Sequence, residues 1–231
     1  MRSLIAYLIQ RNSQRAESSI NSDVFLTSED IRYRLRGTEL PSNPIDVVAG
    51  LDGSRWLEPM REQLSGTLKA AGVLVPIIER DDSLHVLLTQ RSAELKHHAG
   101  QVSFPGGQME DHDGNVEAAA LRETAEEVGI DAEHISVVGY LNTMPTVTGY
   151  AVTPIVGLVA AAAELDIDKS EVEYTFEVPL PFLLDTSNDI RGELMSYDRK
   201  LPAIEFHWEN ERIWGATAFM ILSLRRILLK Q

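Results

Sequence analysis

The chain has 231 residues, of which 44% are hydrophobic and 24% charged, ordinary proportions for a globular protein that buries a core. It contains no cysteine, which excludes disulfides, thiolate nucleophiles and cysteine-bound zinc. Twenty-one Lys and Arg against 35 Asp and Glu give a formal net charge of −14, which argues against nucleic acid and membrane surfaces as partners. An anionic substrate would therefore need a metal ion or a local basic patch.

Residues 1–66 are predicted to be a mostly helical N-terminal extension. Residues 1–16 contain three arginines and no acidic residue, which weakly resembles an organelle transit peptide. A short amphipathic helix is the simpler interpretation, and we expect a cytoplasmic protein. Thr27 and Asp30 have the spacing of a capping box at the start of a helix that Gly37 ends. Residues 41–44 contain two prolines and predict a loop.

Residues 67–231 are predicted to form one domain with a C-terminal helix. Strand-like and helix-like segments alternate here, which favours an α/β fold with helices on the faces of a mixed sheet. The first two predicted strands flank a polar turn and should form a hairpin. The predicted strands are 70–78, 85–89, 135–141, 152–159, 176–180, 204–208 and 212–214, and the predicted helices are 116–128, 181–184 and 216–229.

The helix over 116–128 carries a concentration of carboxylates. Glu123, Glu126 and Glu127 are three and four residues apart, so they should share one face of a helix that Gly129 ends. Like charges at this spacing destabilise a helix by a few tenths of a kcal/mol per pair. A hard divalent cation would reverse that effect, because such ions bind clustered carboxylate oxygens. We expect the opposite, buried face to consist of Ala118, Leu121, Ala125 and Val128.

A solvated acidic surface is the alternative interpretation of three glutamates on a helix. The loop upstream favours the metal-binding interpretation, because Gly106 and Gly107 follow Phe104 and Pro105 at a point where the backbone must turn sharply or approach another group. The loop and helix together predict a unit with a metal-binding face.

These residues resemble the signature of the Nudix hydrolases. The segment from Arg122 to Ile130 matches the second half of that signature, apart from Thr124 at an apolar position. The first half departs from it, because Gly107 lies fifteen residues before Arg122, one more than the standard pattern, and Asp113 replaces a glutamate.

With this one-residue insertion, the sequence resembles the coenzyme A pyrophosphatase branch of that family. A second block, Leu87–Gly107, agrees with the signature of this branch except that Lys96 replaces an arginine. Further matches occur at 148–154, 176–180 and 213–218, so the resemblance extends from about residue 68 to the C-terminus. It implies a Nudix-type α/β/α sandwich.

The resemblance also implies an activity, which is hydrolysis of the pyrophosphate bond of coenzyme A or acyl-coenzyme A with Mg²⁺ or Mn²⁺. Glu123 and Glu127 would be the main metal ligands, and Glu126 would be a further ligand or would position water. The Gly106 carbonyl would be an extra ligand, and Arg122 would hold a glutamate by a paired hydrogen bond. The general base is not assigned, because several carboxylates could reach the water.

The substrate is expected to contact the loop that follows the second strand. Residues 91–98 contain four basic or histidine residues and one acidic residue. This local excess of positive charge in an acidic chain suits the binding of phosphate groups. The alternative interpretation is an ordinary surface loop. The expected substrate-binding residues are Arg91, Lys96, Gln101 and Ser103. A nucleophilic role for Ser103 is disfavoured, because the chain lacks the Gly-x-Ser-x-Gly elbow around it.

Two other functions stay open at this point. One is a Nudix hydrolase of another nucleoside diphosphate, such as ADP-ribose or a dinucleotide. The other is a non-catalytic sensor that binds a nucleotide, although loss of the three glutamates would be expected there and all three are present. The sequence leaves open whether the chain is a monomer or a homodimer.

Overall fold

The structure is a computed structural model, and it describes residues 26–51, 68–80, 83–95, 98–196 and 199–230. The transit-like segment 1–16 and Lys96 therefore lie outside the described residues. The helices are α1 (Ser28–Leu35), α2 (Pro44–Ala49), α3 (Val116–Val128), α4 (Leu180–Leu184) and α5 (Gly215–Leu228). The strands are β1 (Lys69–Glu79), β2 (Leu84–Arg91), β3 (Val102–Ser103), β4 (Gly106–Gln108), β5 (Ile135–Tyr140), β6 (Met144–Pro145), β7 (Tyr150–Val159), β8 (Val172–Pro179), β9 (Ile190–Ser196), β10 (Arg199–Trp208) and β11 (Glu211–Ile213).

The main sheet is mixed, as the sequence predicted. Its strand order is β3-β2-β1-β7-β5, with β4 on β1, β6 on β7 and β8 on β2. Strand β1 forms the predicted antiparallel hairpin with β2. It runs parallel to β7 from the Lys69–Tyr150 pair to the Ile78–Val159 pair. Strands β9, β10 and β11 form a separate antiparallel sheet.

Alternate residues of β1 contact helices on opposite faces of this sheet. Leu74 packs with Ala120 of α3, whereas Val75 and Ile77 belong to the large core cluster that includes Ile221 of α5. This two-residue alternation is what a strand between two helical layers requires. The expected α/β/α arrangement is therefore confirmed.

Helix α1 is built into the same core. Thr27 and Asp30 form the predicted capping box, and Ile31 and Leu35 are completely buried in the large core cluster. Arg34 donates hydrogen bonds to backbone carbonyls at the end of α5. Helix α1 therefore packs against the domain formed by the later part of the chain. The predicted domain boundary near residue 66 stays a prediction.

Helix α2 and the strands β3, β4, β6 and β9 were not predicted from the sequence. Helix α2 occupies part of the expected loop, because Asn43 accepts a hydrogen bond from the Ile45 N–H and Pro44 stands at the first helical position, where proline is favoured. Strand β9 lies in a stretch to which the sequence analysis assigned no element. Among the described residues, no helix combines the length and apolar character that spanning a bilayer demands.

Candidate active site

Helix α3 begins and ends as the sequence predicted. The Asn115 side chain caps it by accepting a hydrogen bond from the Ala118 N–H at 2.9 Å. Gly129 ends it with φ +75°, a backbone conformation in which glycine carries no steric cost. The carboxylate-bearing segment is thus a single helix against β1 and β4.

The predicted buried face of α3 was largely wrong. Ala118, Leu121 and Ala125 are only half-buried, and of the four expected residues only Val128 is fully covered. The buried side chains include Thr124 and Glu127. Thr124 is accommodated because its hydroxyl donates to the Ala120 carbonyl at 2.7 Å. The helix is therefore rotated so that Glu127 points into the protein, away from Glu126.

Arg122 joins three carboxylates at one end of the site. Its guanidinium forms a paired contact with Asp113 at 3.1 and 3.0 Å, and Nη1 donates to Glu123 at 3.0 Å and to Glu126 at 2.9 Å. Asp113 is buried, and its contact with Arg122 lowers the pKa of its carboxyl. The expectation that Arg122 holds a glutamate by a paired bond needs correction, since the paired bond is to Asp113 and the glutamates receive single bonds.

Glu127 is held in place by a side chain and a backbone group. Arg91 Nη1 lies 3.0 Å from one carboxylate oxygen, and the Gly106 N–H donates to the other at 3.1 Å. Only 2% of the Glu127 side chain is exposed. Arg91 follows a bulge in β2 that shifts the register with β8. The block that includes Arg91 and the helix that carries Glu127 therefore form one site.

Burial dominates the electrostatics of these carboxyls. It raises the pKa of Glu127 to about 7, against the opposing effects of Arg91 and the Gly106 N–H, and the nearby Glu123 raises it further. Burial also raises the pKa of Glu123, although Arg122 opposes this. The site thus concentrates negative charge that its arginines balance only in part.

Gly107 is required by the position of the Glu123 carboxylate. A Cβ atom at residue 107 would lie 2.5 Å from Glu123 Cδ, closer than such atoms approach without displacement. The absent side chain lets β4 pass directly over the carboxylate. This is the close approach that the sequence analysis predicted for the glycine pair.

Two of the predicted substrate-binding residues contact neighbours on the β2–β3 side of the site. Gln101 pairs with the His98 ring at 2.9 Å. The Ser103 hydroxyl lies 3.0 Å from that of Thr89. Neither forms a hydrogen bond with the glutamates of α3, and Lys96 lies outside the described residues. Arg91 is a predicted substrate-binding residue that contacts a glutamate of α3 directly.

The donor set suits a hard divalent cation by its chemistry, since Glu123, Glu126 and Glu127 present carboxylate oxygens from consecutive turns of one helix. In this structure, contacts with Arg91 and Arg122 hold these three carboxylates in position. Among the described residues, no three His, Asp or Glu side chains converge closely enough to hold a metal ion. An arginine contacts one oxygen of each of these glutamates, and the Gly106 N–H donates to the second oxygen of Glu127.

Asp113 is the main member of the site whose role the sequence analysis missed. It was noted as the acid at a glutamate position, without a function. Its burial follows from the Glu110–Asp113 turn, in which the Glu110 N–H donates to its carboxylate at 2.8 Å. The nine-residue spacing to Arg122 was the available signal, although spacing alone does not show which acid the arginine contacts.

A family model described as the NUDIX domain matches residues 68–201. The chain belongs to the Nudix hydrolase family. A relative from Cronobacter sakazakii, named uncharacterized Nudix hydrolase NudL, is 40% identical over 185 residues, which are 80% of this chain and 96% of the relative. A protein of the same name from Photorhabdus laumondii is 39% identical over 73% of this chain and 89% of its own length.

Solved structures of Nudix proteins are more distant from this chain. A C. elegans Ap4A hydrolase binary complex gives a TM-score of 0.42 at 19% identity, over 48% of this chain and 80% of that one. The NUDIX domain of Shewanella oneidensis NrtR complexed with ADP ribose gives a TM-score of 0.41 at 21% identity, over 59% of this chain and 82% of that one. These likenesses are too low to indicate which substrate this Nudix hydrolase takes.

Proposed function

We propose that the protein hydrolyses the pyrophosphate bond of coenzyme A or an acyl-coenzyme A, giving 3′,5′-ADP and 4′-phosphopantetheine or its acyl derivative. The observation that carries the proposal is the Arg91–Glu127 contact. It joins the block that resembles the coenzyme A branch to the helix that carries the Nudix carboxylates. This contact supports the proposal, because it brings a residue of that block beside the carboxylates that would hold the metal ion.

Glu123, Glu126 and Glu127 would hold Mg²⁺ or Mn²⁺, with the Gly106 carbonyl as a further ligand. A divalent cation bound there would supply positive charge to the diphosphate oxygens and lower the pKa of a bound water. The half-buried Arg91, on the β2 side, would bind a substrate phosphate once it leaves Glu127. Arg122, fixed by Asp113, would orient Glu123 and Glu126 throughout.

The proposal is tested by comparing substrates under one set of conditions. We expect kcat/KM to be higher for coenzyme A than for ADP-ribose or a dinucleoside polyphosphate, with activity that a chelator abolishes and Mg²⁺ or Mn²⁺ restores. A clear preference for ADP-ribose would contradict the branch assignment. Nucleotide binding without turnover of any of these compounds would favour the sensor interpretation.

Lys96 provides a finer test of the substrate assignment, because lysine replaces the arginine of the branch. Lysine contacts phosphate as a point charge rather than as a planar fork. If it binds a phosphate, Lys96→Ala should raise KM about tenfold, with kcat little changed, and Lys96→Arg should preserve or improve binding.

The comparison uses coenzyme A beside dephospho-coenzyme A, which lacks the 3′-phosphate. A penalty seen only with coenzyme A places Lys96 at the 3′-phosphate, and an equal penalty with both places it at the diphosphate. Unchanged KM values in both assays would remove Lys96 from the substrate site.

A further inference from the structure

Strand β9 forms an edge of the three-stranded sheet. Within the part of the chain that the structure describes, β9 pairs with β10 alone. The register between the two strands runs without a shift from the Ile190–Glu205 pair to the Ser196–Arg199 pair. The strand contains neither proline nor lysine, residues with which proteins often protect a sheet edge. An uninterrupted edge of this kind presents N–H and C=O groups with which another strand can pair.

The register of the hairpin shows which backbone groups of β9 face outward. Only two residues separate Ser196 from Arg199, so this pair closes a two-residue hairpin and is joined by hydrogen bonds. Hydrogen-bonded and non-hydrogen-bonded pairs then alternate along the ladder. Every second residue of β9, starting one residue before Ser196, therefore directs its N–H and C=O away from β10. These residues are Arg191, Glu193 and Met195.

Proline in the neighbouring strand agrees with this alternation. Pro202 of β10 stands opposite Glu193 of β9. Proline has no N–H, so it suits a position at which the two strands exchange no hydrogen bond. The outward direction of the Glu193 backbone groups is therefore consistent with the sequence of both strands.

The edge carries opposite charges on the two sides of a glycine. Arg191, Gly192 and Glu193 are all exposed. In an antiparallel pair of two β9 strands with a two-fold axis at Gly192, position 191 lies opposite position 193 of the other strand. Each Arg191 then faces Glu193 of the partner subunit, and the symmetry produces this pair twice. Opposite charges directly across two antiparallel strands attract each other, so the edge is complementary to itself.

The charges also discriminate between the possible registers. A two-fold axis at Arg191 or at Glu193 would place two like charges directly opposite each other, which is destabilising. The axis at Gly192 avoids both arrangements. It also places Ile190, which is 39% exposed, opposite Leu194 of the partner subunit, so an exposed apolar residue of the edge would gain an apolar neighbour.

We propose that a second copy of this chain binds along β9, antiparallel and with the two-fold axis at Gly192, so that the two three-stranded sheets become one continuous sheet. The strand is held in place for this contact. Asp189, directly before β9, accepts hydrogen bonds from the buried Arg225 of α5 at 2.8 and 3.0 Å. An edge that is already ordered loses little conformational entropy on pairing. The proposal concerns assembly and does not depend on the substrate.

A single cysteine at the proposed axis tests the register. The chain contains no cysteine, and a Cβ atom at Gly192 would meet nothing within 4 Å. Residues directly opposite at a non-hydrogen-bonded pair have Cα atoms about 4.5 Å apart, within the range of about 4.4–6.8 Å that a disulfide spans. We expect Gly192→Cys to form a disulfide-linked dimer with oxidised glutathione, as seen on non-reducing gels. Gly114→Cys, at another exposed glycine with open space around it, should stay unlinked.

Charge reversal tests the pairing without a covalent bond. Glu193→Arg would make both symmetry-related pairs repulsive, so the dissociation constant of the dimer should rise on the order of tenfold. Exchange of the two charges, in the double variant Arg191→Glu with Glu193→Arg, should restore dimerisation. Glu39→Arg is the matched control, because it makes the same charge change at an exposed residue outside β9. Sedimentation equilibrium measures the dissociation constants, and thermal melting checks that each variant is folded.

Three results would overturn the proposal. The unmodified protein could be a monomer at every concentration measured. Glu193→Arg could leave the dissociation constant unchanged, or the double variant could stay as dissociated as Glu193→Arg. Gly192→Cys could also fail to form a disulfide faster than Gly114→Cys, which would exclude the axis at Gly192.

Discussion

Two arginines determine how the carboxylates of the site are arranged. Arg122 contacts Asp113, Glu123 and Glu126, while Arg91 contacts Glu127. Removing either arginine would leave a buried carboxylate, Asp113 or Glu127, without its partner, and a change of this kind typically destabilises a protein by about 3–5 kcal/mol. The arginines thus oppose the rise in pKa that burial imposes on Glu123 and Glu127.

Glu127→Gln removes the most buried carboxylate of the site and keeps its shape. We expect kcat to fall at least ~10²-fold, the effect of losing one strong electrostatic contributor. Folding should survive, since an amide oxygen can still accept the Gly106 N–H and the half-buried Arg91 can turn to solvent. Steady-state kinetics and thermal melting measure both effects.

The matched control for this variant is Glu133→Gln, whose side chain is 80% exposed. It should behave like the unmodified protein in both measurements. Near-normal turnover by Glu127→Gln would remove Glu127 from the catalytic set.

Asp113 should make stability sensitive to acid. Its pKa is held below the ordinary value of 3.8 because Arg122 donates hydrogen bonds to the carboxylate. A carboxyl with a lowered folded-state pKa stabilises the fold above its ordinary pKa, and this stabilisation is lost as the pH falls through the folded value. Between about pH 5 and pH 2, the free energy of unfolding should therefore fall more steeply for the unmodified protein than for Asp113→Asn.

Urea unfolding over a pH series measures this difference. Glu205 and the other carboxyls with lowered pKa values titrate in both proteins, so the difference between the two curves isolates Asp113. If the free energy of unfolding depended on pH in the same way in both proteins, the Asp113–Arg122 pair would not contribute to the acid sensitivity.

At the level of elements, β4 and α3 act as one unit because Gly107 lies directly on Glu123. A methyl group at residue 107 would displace the carboxylate, which is the free end of a flexible side chain. Gly107→Ala should therefore change the free energy of unfolding by less than ~1 kcal/mol and lower kcat about 10²-fold through misplacement.

Gly114→Ala provides the control, since a Cβ atom there would contact nothing within 4 Å. Chemical unfolding and steady-state kinetics of both variants separate the two effects. Normal turnover by Gly107→Ala, with an unchanged fold, would mean that the position of Glu123 does not matter for the reaction.

The sequence was sufficient to predict the main strands and the ends of α3. Alternation and apolar runs defined β1, β2 and β7, and Gly129 defined the helix end, because these signals are local. The rotation of α3 was not predictable in the same way. Its pattern of alanines and glutamates offers similar apolar stripes on two sides, and only packing against β1 and β4 decides between them.

Contacts between distant segments could not be predicted from spacing. The bulge in β2 aims Arg91 at Glu127, and a register shift of this kind has no clear sequence signal. The loop 160–171 folds back onto the end of α3, where the Asp168 N–H donates to the Glu127 carbonyl. Both contacts could be recognised only once the chain was folded.

At the level of the whole molecule, α1 shares its core with the domain that carries the site. Leu35 is completely buried in the large core cluster. Leu35→Ala should lower the free energy of unfolding by about 2–5 kcal/mol, the usual effect of deleting a buried leucine side chain. Chemical denaturation measures this change.

Val47→Ala is the control in the neighbouring helix α2, because Val47 is 40% exposed. It should change the free energy of unfolding by no more than ~0.5 kcal/mol. A loss below ~1 kcal/mol for Leu35→Ala would contradict the shared core, since core truncations of this kind exceed that value.

The molecule carries a net charge of −14, so the proposed reaction with an anionic diphosphate would depend on local positive charge from Arg91 and from a bound cation. The most direct test is mass spectrometry of the products after incubation with coenzyme A and Mg²⁺ or Mn²⁺. The account predicts 3′,5′-ADP and 4′-phosphopantetheine, with both formed at least ~10²-fold more slowly by Glu127→Gln. Intact coenzyme A in the presence of either metal, alongside efficient cleavage of ADP-ribose, would contradict it.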